Sequence, residues 1–411
     1  MTKANLAHDP LIRISKREDI PMWKSWLVRI IGLLLALVVS GIVIVCITHI
    51  NPFMVFAKMA SGSFGSWIKN TNAAGETVEV LTISTKRIWV TIRDIMTLLC
   101  ISVGLAPAFA MKFWNVGAEG QVLVGGIATV ACMKYFTGLP TIVLVLVMIV
   151  VSMLAGAIWG FFPGFFKAHW NTNETLFTLM MNYIAIQITS FMVAVWENPP
   201  GSNSVGVINR NDQYGWLPSL FSDVPNKDFG WNVIIVLIVT VAVFIYLRYS
   251  KQGYEISVVG DSVNTARYAG IRVKKVYIRT MAISGAICGL AGFVAVSGAS
   301  HTISTSTAGG RGFTAIIVAW LAKFNTFTMI LISALLVVLD KGASEIASSY
   351  GINEYVSQII TGIILFFLLG SEFFINYQLK FRHNKGAEPP AAKPVQAPAA
   401  NTDNEDKEAN E

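Results

Sequence analysis

Charge is what this sequence has least of. Lys, Arg, Asp and Glu together make up 13% of the 411 residues, where an average soluble chain carries roughly 25%. So few ions cannot cover the surface of a water-soluble protein this long, which excludes one or two ordinary globular domains. Cysteine is scarce as well. Cys46, Cys100, Cys132 and Cys288 all fall inside apolar stretches, with no CxxC and no Cys/His grouping at metal spacing. That leaves neither a disulfide framework nor a zinc site, and inert core thiols are expected. Also missing are a GxxxxGK loop followed by Ser or Thr, an HExxH, a GxSxG, and any carboxylate–His pairing repeated at helical spacing. The chain has no set of residues for catalysis, and neither a metal nor a cofactor is expected.

What is present in excess is apolar sequence: 54% of residues are hydrophobic and the mean hydropathy is +0.58. A membrane helix needs about 20 mostly apolar residues. Ten such stretches are expected, near 27–47, 95–111, 121–136, 141–162, 176–196, 231–247, 277–297, 313–323, 327–339 and 356–373. The fold class is therefore all-α, a polytopic transmembrane bundle. It divides into a leader (1–26), a membrane domain (27–375) and a tail (376–411). The first run is long, lacks a small-residue cleavage pattern and follows a polar leader, so it reads as a retained anchor.

The net charge of +7 does not indicate nucleic acid, because the basic residues are separated by membrane runs. Topology explains it instead. The leader, the loop after the sixth span and the tail hold 18 of the 31 Lys and Arg residues. Ten spans put all three on one side, which the positive-inside rule makes cytoplasmic. Both termini of a multi-pass protein of the inner or plasma membrane are then inside. The long external loops are 48–91 and 197–230, either plain connectors or docking surfaces for a partner. After Asn384 the chain is rich in Ala, Pro, Asn and Glu, a composition expected to stay disordered.

Two stretches share a pattern of small-residue helix, Gly-rich polar break and second helix. One starts at Gly104 and contains NVGAEGQ; the other starts at Gly289 and contains GGRG. By the span count they run in opposite directions, the mark of an inverted repeat whose breaks flank a substrate path. The GGRG is a poor phosphate loop, since the count puts it in an external hairpin. Two polar clusters stand out: Asn115, Gly117, Glu119, Gly120 and Gln121, and His169, Asn171, Asn173, Glu174 and Asn182. Amides beside a carboxylate offer donors and acceptors together, which suits the hydroxyls and base edges of a polar uncharged solute. The structural alternative makes Asn173 an N-cap with Glu174 in the first turn. The middles of the spans look nearly free of charge, which argues against an ion-coupled secondary transporter. In the loop after the sixth span, Asp261 or Ser262 can cap a short helix through Asn264, Arg267 and Tyr268 that ends at Gly270.

Four segments, in order, carry a resemblance. NVGAEGQ (115–121) is similar to the NIGAEGQ signature of permeases in nucleoside and simple-sugar ATP-binding cassette (ABC) importers, relatives of the ribose and branched-chain amino acid permeases. NETLFTLMMNYIA (173–185), VVGDSVNTARYAGI (258–271) and GRGFTAIIVAWLAKFN (310–325) resemble further segments of that family. Departures are Val116, Ser257, Trp320 and Ala322. The resemblance implies a non-catalytic permease that forms a translocation path for nucleosides, or else for a simple sugar or a vitamin such as riboflavin. Asn115, Gly117, Glu119, Gln121, Asn173, Glu174 and Asn182 would flank that path. It also implies partners: a separate ATPase touched by Asp261, Asn264, Arg267 and Tyr268, a second and usually non-identical permease, membrane lipid, and an extracytoplasmic lipoprotein that delivers the solute.

Overall fold

A computed structural model describes residues 12–16, 21–48, 51–71, 77–221, 229–351 and 354–381. In chain order these form β1 (Ile12–Lys16), α1 (Met22–Thr48), α2 (Pro52–Ser61), β2 (Gly65–Thr71), β3 (Thr77–Ile83), α3 (Thr85–Ala110), α4 (Ala118–Tyr135), α5 (Thr141–Trp170) and α6 (Glu174–Trp196). There follow α7 (Gly230–Tyr249), α8 (Lys251–Asp261), α9 (Val263–Tyr268), α10 (Val273–Ala295), a π-turn (Val296–Ser300), α11 (Arg311–Leu321), α12 (Thr326–Tyr350), α13 (Glu354–Asn376) and β4 (Tyr377–Phe381).

The fold is the expected all-α polytopic bundle, and each of the ten predicted spans is a helix. Among the described residues, seven helices are long and apolar enough to cross a membrane. Charge cost the sequence reading several helix ends. α3 begins ten residues before the expected 95 and α12 continues eleven past the expected 339, so Arg87, Arg93, Asp94, Asp340, Lys341 and Glu345 lie on long helices. The expectation of nearly charge-free spans fails there. Arg87 is held by Glu345 and Asp94 by Arg93, Arg311 and Lys341, and paired ions are the kind a membrane helix tolerates. The stretch 48–91, expected to be a loop, contains α2 and the β2–β3 hairpin. Cys46 is exposed while the other three thiols are buried, so the core assignment fails for Cys46.

The two ends of the chain form a unit of their own, in which β1 and β4 pair antiparallel with Ile12 opposite Phe381. A strand thus occupies 377–381, inside the segment assigned to a disordered tail; residues 382–411 lie outside the described ones.

In the other unit, α10 is the central helix and packs against α5, α4 and α3. Its apolar window is 83% buried, whereas that of α5 is 22% buried; α5 turns Leu146, Val150, Leu154 and Ile158 outward, as a lipid-facing helix does. Lipid tails give apolar side chains no reason to prefer each other, so contact between such helices depends on close packing of small residues. That is how α5 and α10 meet. A Cβ added to Gly156 would lie 2.2 Å from the carbonyl oxygen of Gly285, and one added to Gly285 would lie 2.2 Å from that of Gly156. Glycine alone permits this approach.

Candidate functional site

The NVGAEGQ break separates α3 from α4, and an interrupted helix leaves backbone amides and carbonyls without partners. In a membrane these must be satisfied by protein. The amide side chains of the motif do this. Asn115 accepts from the Gly117 N–H at 3.0 Å and donates to Ser284 of α10 at 3.1 Å and to Gln121 at 3.3 Å. Asn182, two turns into α6, accepts from the Gly120 N–H and donates to the Val116 carbonyl, both at 2.9 Å. The Val116 N–H donates to Thr178 Oγ1 at 3.2 Å. Asn115, Gln121 and Asn182 are at most 2% exposed. Each sequence-predicted amide of this group is therefore engaged with the break itself, tying it to α6 and α10. Thr178 and Ser284 belong to the network too; single hydroxyls in apolar helices gave no signal in the sequence.

Glu119 reaches a different element. Its two carboxylate oxygens accept from the Gly310 and Gly312 N–H groups, each at 2.8 Å. These amides open α11, so the carboxylate sits at a helix N-terminus, where both the free N–H groups and the helix dipole favour a negative charge. A Cβ on Gly312 would lie 2.5 Å from the Glu119 backbone nitrogen, so that position too admits only glycine. Between the glycines, Arg311 turns the other way, to Asp94 of α3 at 3.1 Å. Asp94 also holds Arg93 at 2.9 Å and Lys341 of α12 at 2.6 Å, with its own side chain only 3% exposed. The GGRG segment thus clamps the start of α11 to α4 through Glu119 and to α3 and α12 through Asp94.

This contact corrects the expected placement of the two breaks. Units running in opposite directions, with GGRG in an external hairpin, would leave the first break at the cytoplasmic end, and turns at opposite faces cannot be hydrogen-bonded to each other. Asn115 meets α10 eleven residues along from Val273, about 16 Å from its start, and α11 has 11 residues, about 16 Å, half of a ~30 Å hydrocarbon core. Both breaks therefore lie inside the bundle, joined at the start of one short helix.

The rest of the second cluster stays outside this network. Asn173 caps α6 by accepting from the Thr175 and Leu176 N–H groups at 3.1 and 3.2 Å, and Glu174 pairs with Lys167 at 2.8 Å. Trp320, one of the departures from the family pattern, stacks on Trp114 with centroids 5.1 Å apart. Near the expected outer face, His301 stacks on Trp216 at 3.8 Å. Burial and the charge of Arg93 push its imidazole down to about 4, against the opposing pull of a hydrogen bond to the Ser297 backbone.

After the sixth expected span the chain forms two short helices. Ser250 caps α8 by accepting from the Gly253 N–H at 2.9 Å. Ser262, rather than Asp261, caps α9 by accepting from the Thr265 N–H at 3.3 Å; Asp261 ends α8. α9 closes as expected at Gly270, φ +75°, with Ile271 N–H to Ala266 carbonyl at 2.9 Å and Gly270 N–H to Arg267 carbonyl at 3.0 Å. That bond pair is the Schellman arrangement. Ala266 is buried in a cluster with Met111, Phe113 and Val259, so α9 gains support from its own chain. Asp261, Asn264, Arg267 and Tyr268 are exposed, Tyr268 at 93%.

Residues 87–369 match the family described as the branched-chain amino acid transport system / permease component. The chain belongs to that family. It is a permease of the ABC transporter type, a non-catalytic transport subunit that works with an ATPase and a substrate-binding component. The permease is 30% identical to the guanosine ABC transporter permease of Bacillus subtilis, over 72% of this chain and 84% of the relative. It is 26% identical to a glucose ABC transporter permease of Haloferax volcanii, over 90% and 93%. A nucleoside ABC transporter permease of Lactococcus lactis is 27% identical over 69% and 79%.

Proposed function

We propose that this permease carries nucleosides across the membrane, paired with a second, non-identical permease and supplied by an extracytoplasmic lipoprotein. The observation that carries the substrate is the 30% identity to a guanosine permease over most of both chains. The site chemistry agrees with a neutral solute, since the buried network around the break is built from amides and hydroxyls. In this reading the Asn115, Glu119, Gln121 and Asn182 group fixes the broken helices that border the path. Asn173 and Glu174 stand at its cytoplasmic end. The exposed row of Asp261, Asn264, Arg267 and Tyr268 docks the ATPase, Arg and Tyr being favoured interface anchors. Both termini are cytoplasmic: the three basic segments support this, and so does the β1–β4 pairing, which brings leader and tail together.

A sugar is the second reading, favoured by the glucose permease that matches 90% of the chain. The test is the complete reconstituted transporter with its binding protein. Guanosine and other nucleosides should stimulate ATP hydrolysis and enter proteoliposomes. A response to glucose with none to any nucleoside would overturn the nucleoside assignment in favour of the sugar.

A further inference from the structure

Beside the Asp94 clamp lies a cavity of about 230 Å³, bounded by α3, the segment before α11, α11 itself, α12 and α13. We propose that this cavity is a binding site for the sugar ring of the transported solute, recognising its adjacent hydroxyls. The proposal rests on the nucleoside reading above and adds a place and a chemistry to it.

Three features of the cavity point to a ring of this kind. Its volume falls just below the ~300–1,000 Å³ of pockets that take drug-sized ligands, so it has room for one furanose or pyranose ring. Its polar wall combines hydroxyls, those of Ser306 and Thr314 among them, with Asp94, Arg311 and Asp340, while leucines such as Leu98 supply apolar faces. Sugar rings present that same mixture, apolar C–H faces with hydroxyls around the rim. The ions suit a diol: a carboxylate accepts hydroxyl protons, and a guanidinium donates to hydroxyl oxygens. Asp94 is already shared by three cations and Asp340 adds a second carboxylate, so most of the charge is met within the wall and hydroxyl hydrogen bonds are left to hold a guest.

Access is provided as well. Ser306 and Gly309 are exposed, so the cavity opens at the segment between the π-turn and α11. Seating a ring there brings it against Arg311, whose neighbours Gly310 and Gly312 hold Glu119. Occupancy is thereby felt at the clamp that joins α11 to α3, α4 and α12.

The experiment uses the complete transporter in proteoliposomes, with binding protein saturated by each solute so that the uptake rate reports the membrane part. Guanosine is compared with 2′,3′-dideoxyguanosine, which keeps the base and lacks the diol. Wild type should favour guanosine about tenfold, the cost of leaving polar groups of the site unpaired. In Ser306→Ala combined with Thr314→Val the ratio should fall toward one, through loss of guanosine uptake. If the double variant does not assemble, Ser306→Ala alone, at an exposed position, should give about a threefold fall. An equal ratio in wild type and variants overturns the site, and so does a wild type that does not discriminate. Faster uptake of guanosine 5′-monophosphate than of guanosine would also overturn it, in favour of an anion site. If no nucleoside is carried but glucose is, the nucleoside reading fails by itself: the cavity then stands if the double variant cuts glucose uptake about tenfold, and falls if it does not or if neither class is carried.

Discussion

Replacing Glu119 separates a clamp from a solute contact. In Glu119→Ala the Gly310 and Gly312 amides each lose a charged acceptor at 2.8 Å. Hydrogen bonds to charged groups contribute about 1.5–3 kcal/mol each, and a negative charge at a helix N-terminus adds about 0.3–1 kcal/mol. A chain unfolded within the membrane finds other partners for such groups, which favours the low end, so a loss of about 3 kcal/mol is expected. Glu119→Gln should lose roughly half of that, because its one carbonyl oxygen satisfies one amide while its NH₂ faces the other donor. The assay is denaturant or thermal unfolding of the purified permease in detergent, followed by tryptophan fluorescence, with uptake measured on the same variants. Stability and uptake should fall together in the order wild type, Gln, Ala. An Ala variant as stable as wild type that nevertheless loses uptake would refute the clamp and make Glu119 a contact for the solute.

Gly285→Leu should abolish the close approach of α10 to α5, since even a Cβ would lie 2.2 Å from the Gly156 carbonyl; the expected readout is loss of folded protein on detergent gel filtration, and a normal yield would mean the helices separate freely. With the native cysteines replaced, single cysteines at Asn203 and Arg267 should react with an impermeant thiol reagent from opposite sides of the membrane, and labelling from one side would end the ten-span topology. Arg267→Glu combined with Tyr268→Ala should leave insertion intact but remove substrate-stimulated ATP hydrolysis and uptake; unchanged uptake would remove α9 from coupling. His301 is neutral when folded and, once released, protonates near 6.5, so unfolding takes up a proton as the pH falls from about 6.5 toward about 4. Stability should therefore drop across that window, as read from Trp216 fluorescence, and His301→Phe should flatten the slope; an unaltered slope would place its origin elsewhere.

The order of the ten apolar helices was legible in the sequence because the bilayer asks the same of each long span, about 20 apolar residues with the backbone bonded to itself; the added helices α2 and α8 were not, since neither is long enough to meet that requirement. The cap and stop of α9 were legible for a similar reason: Ser262 and Gly270 act on amides a few residues away, so local chemistry is enough. The sequence also marked Asn115, Glu119 and Asn182 as unusual, since polar groups in apolar surroundings need partners. It did not say which partners. Glu119 meets Gly310 and Gly312 across 191 and 193 residues, and Asp94 draws in Arg311 and Lys341, residues that a hydropathy reading assigned to loops because it counts a paired ion as a water-seeking one. Only the tertiary structure decided that two breaks expected on opposite faces share one short helix, and that the charges beside them close around a cavity, because pairing across the bundle depends on where helices pack rather than on what each contains.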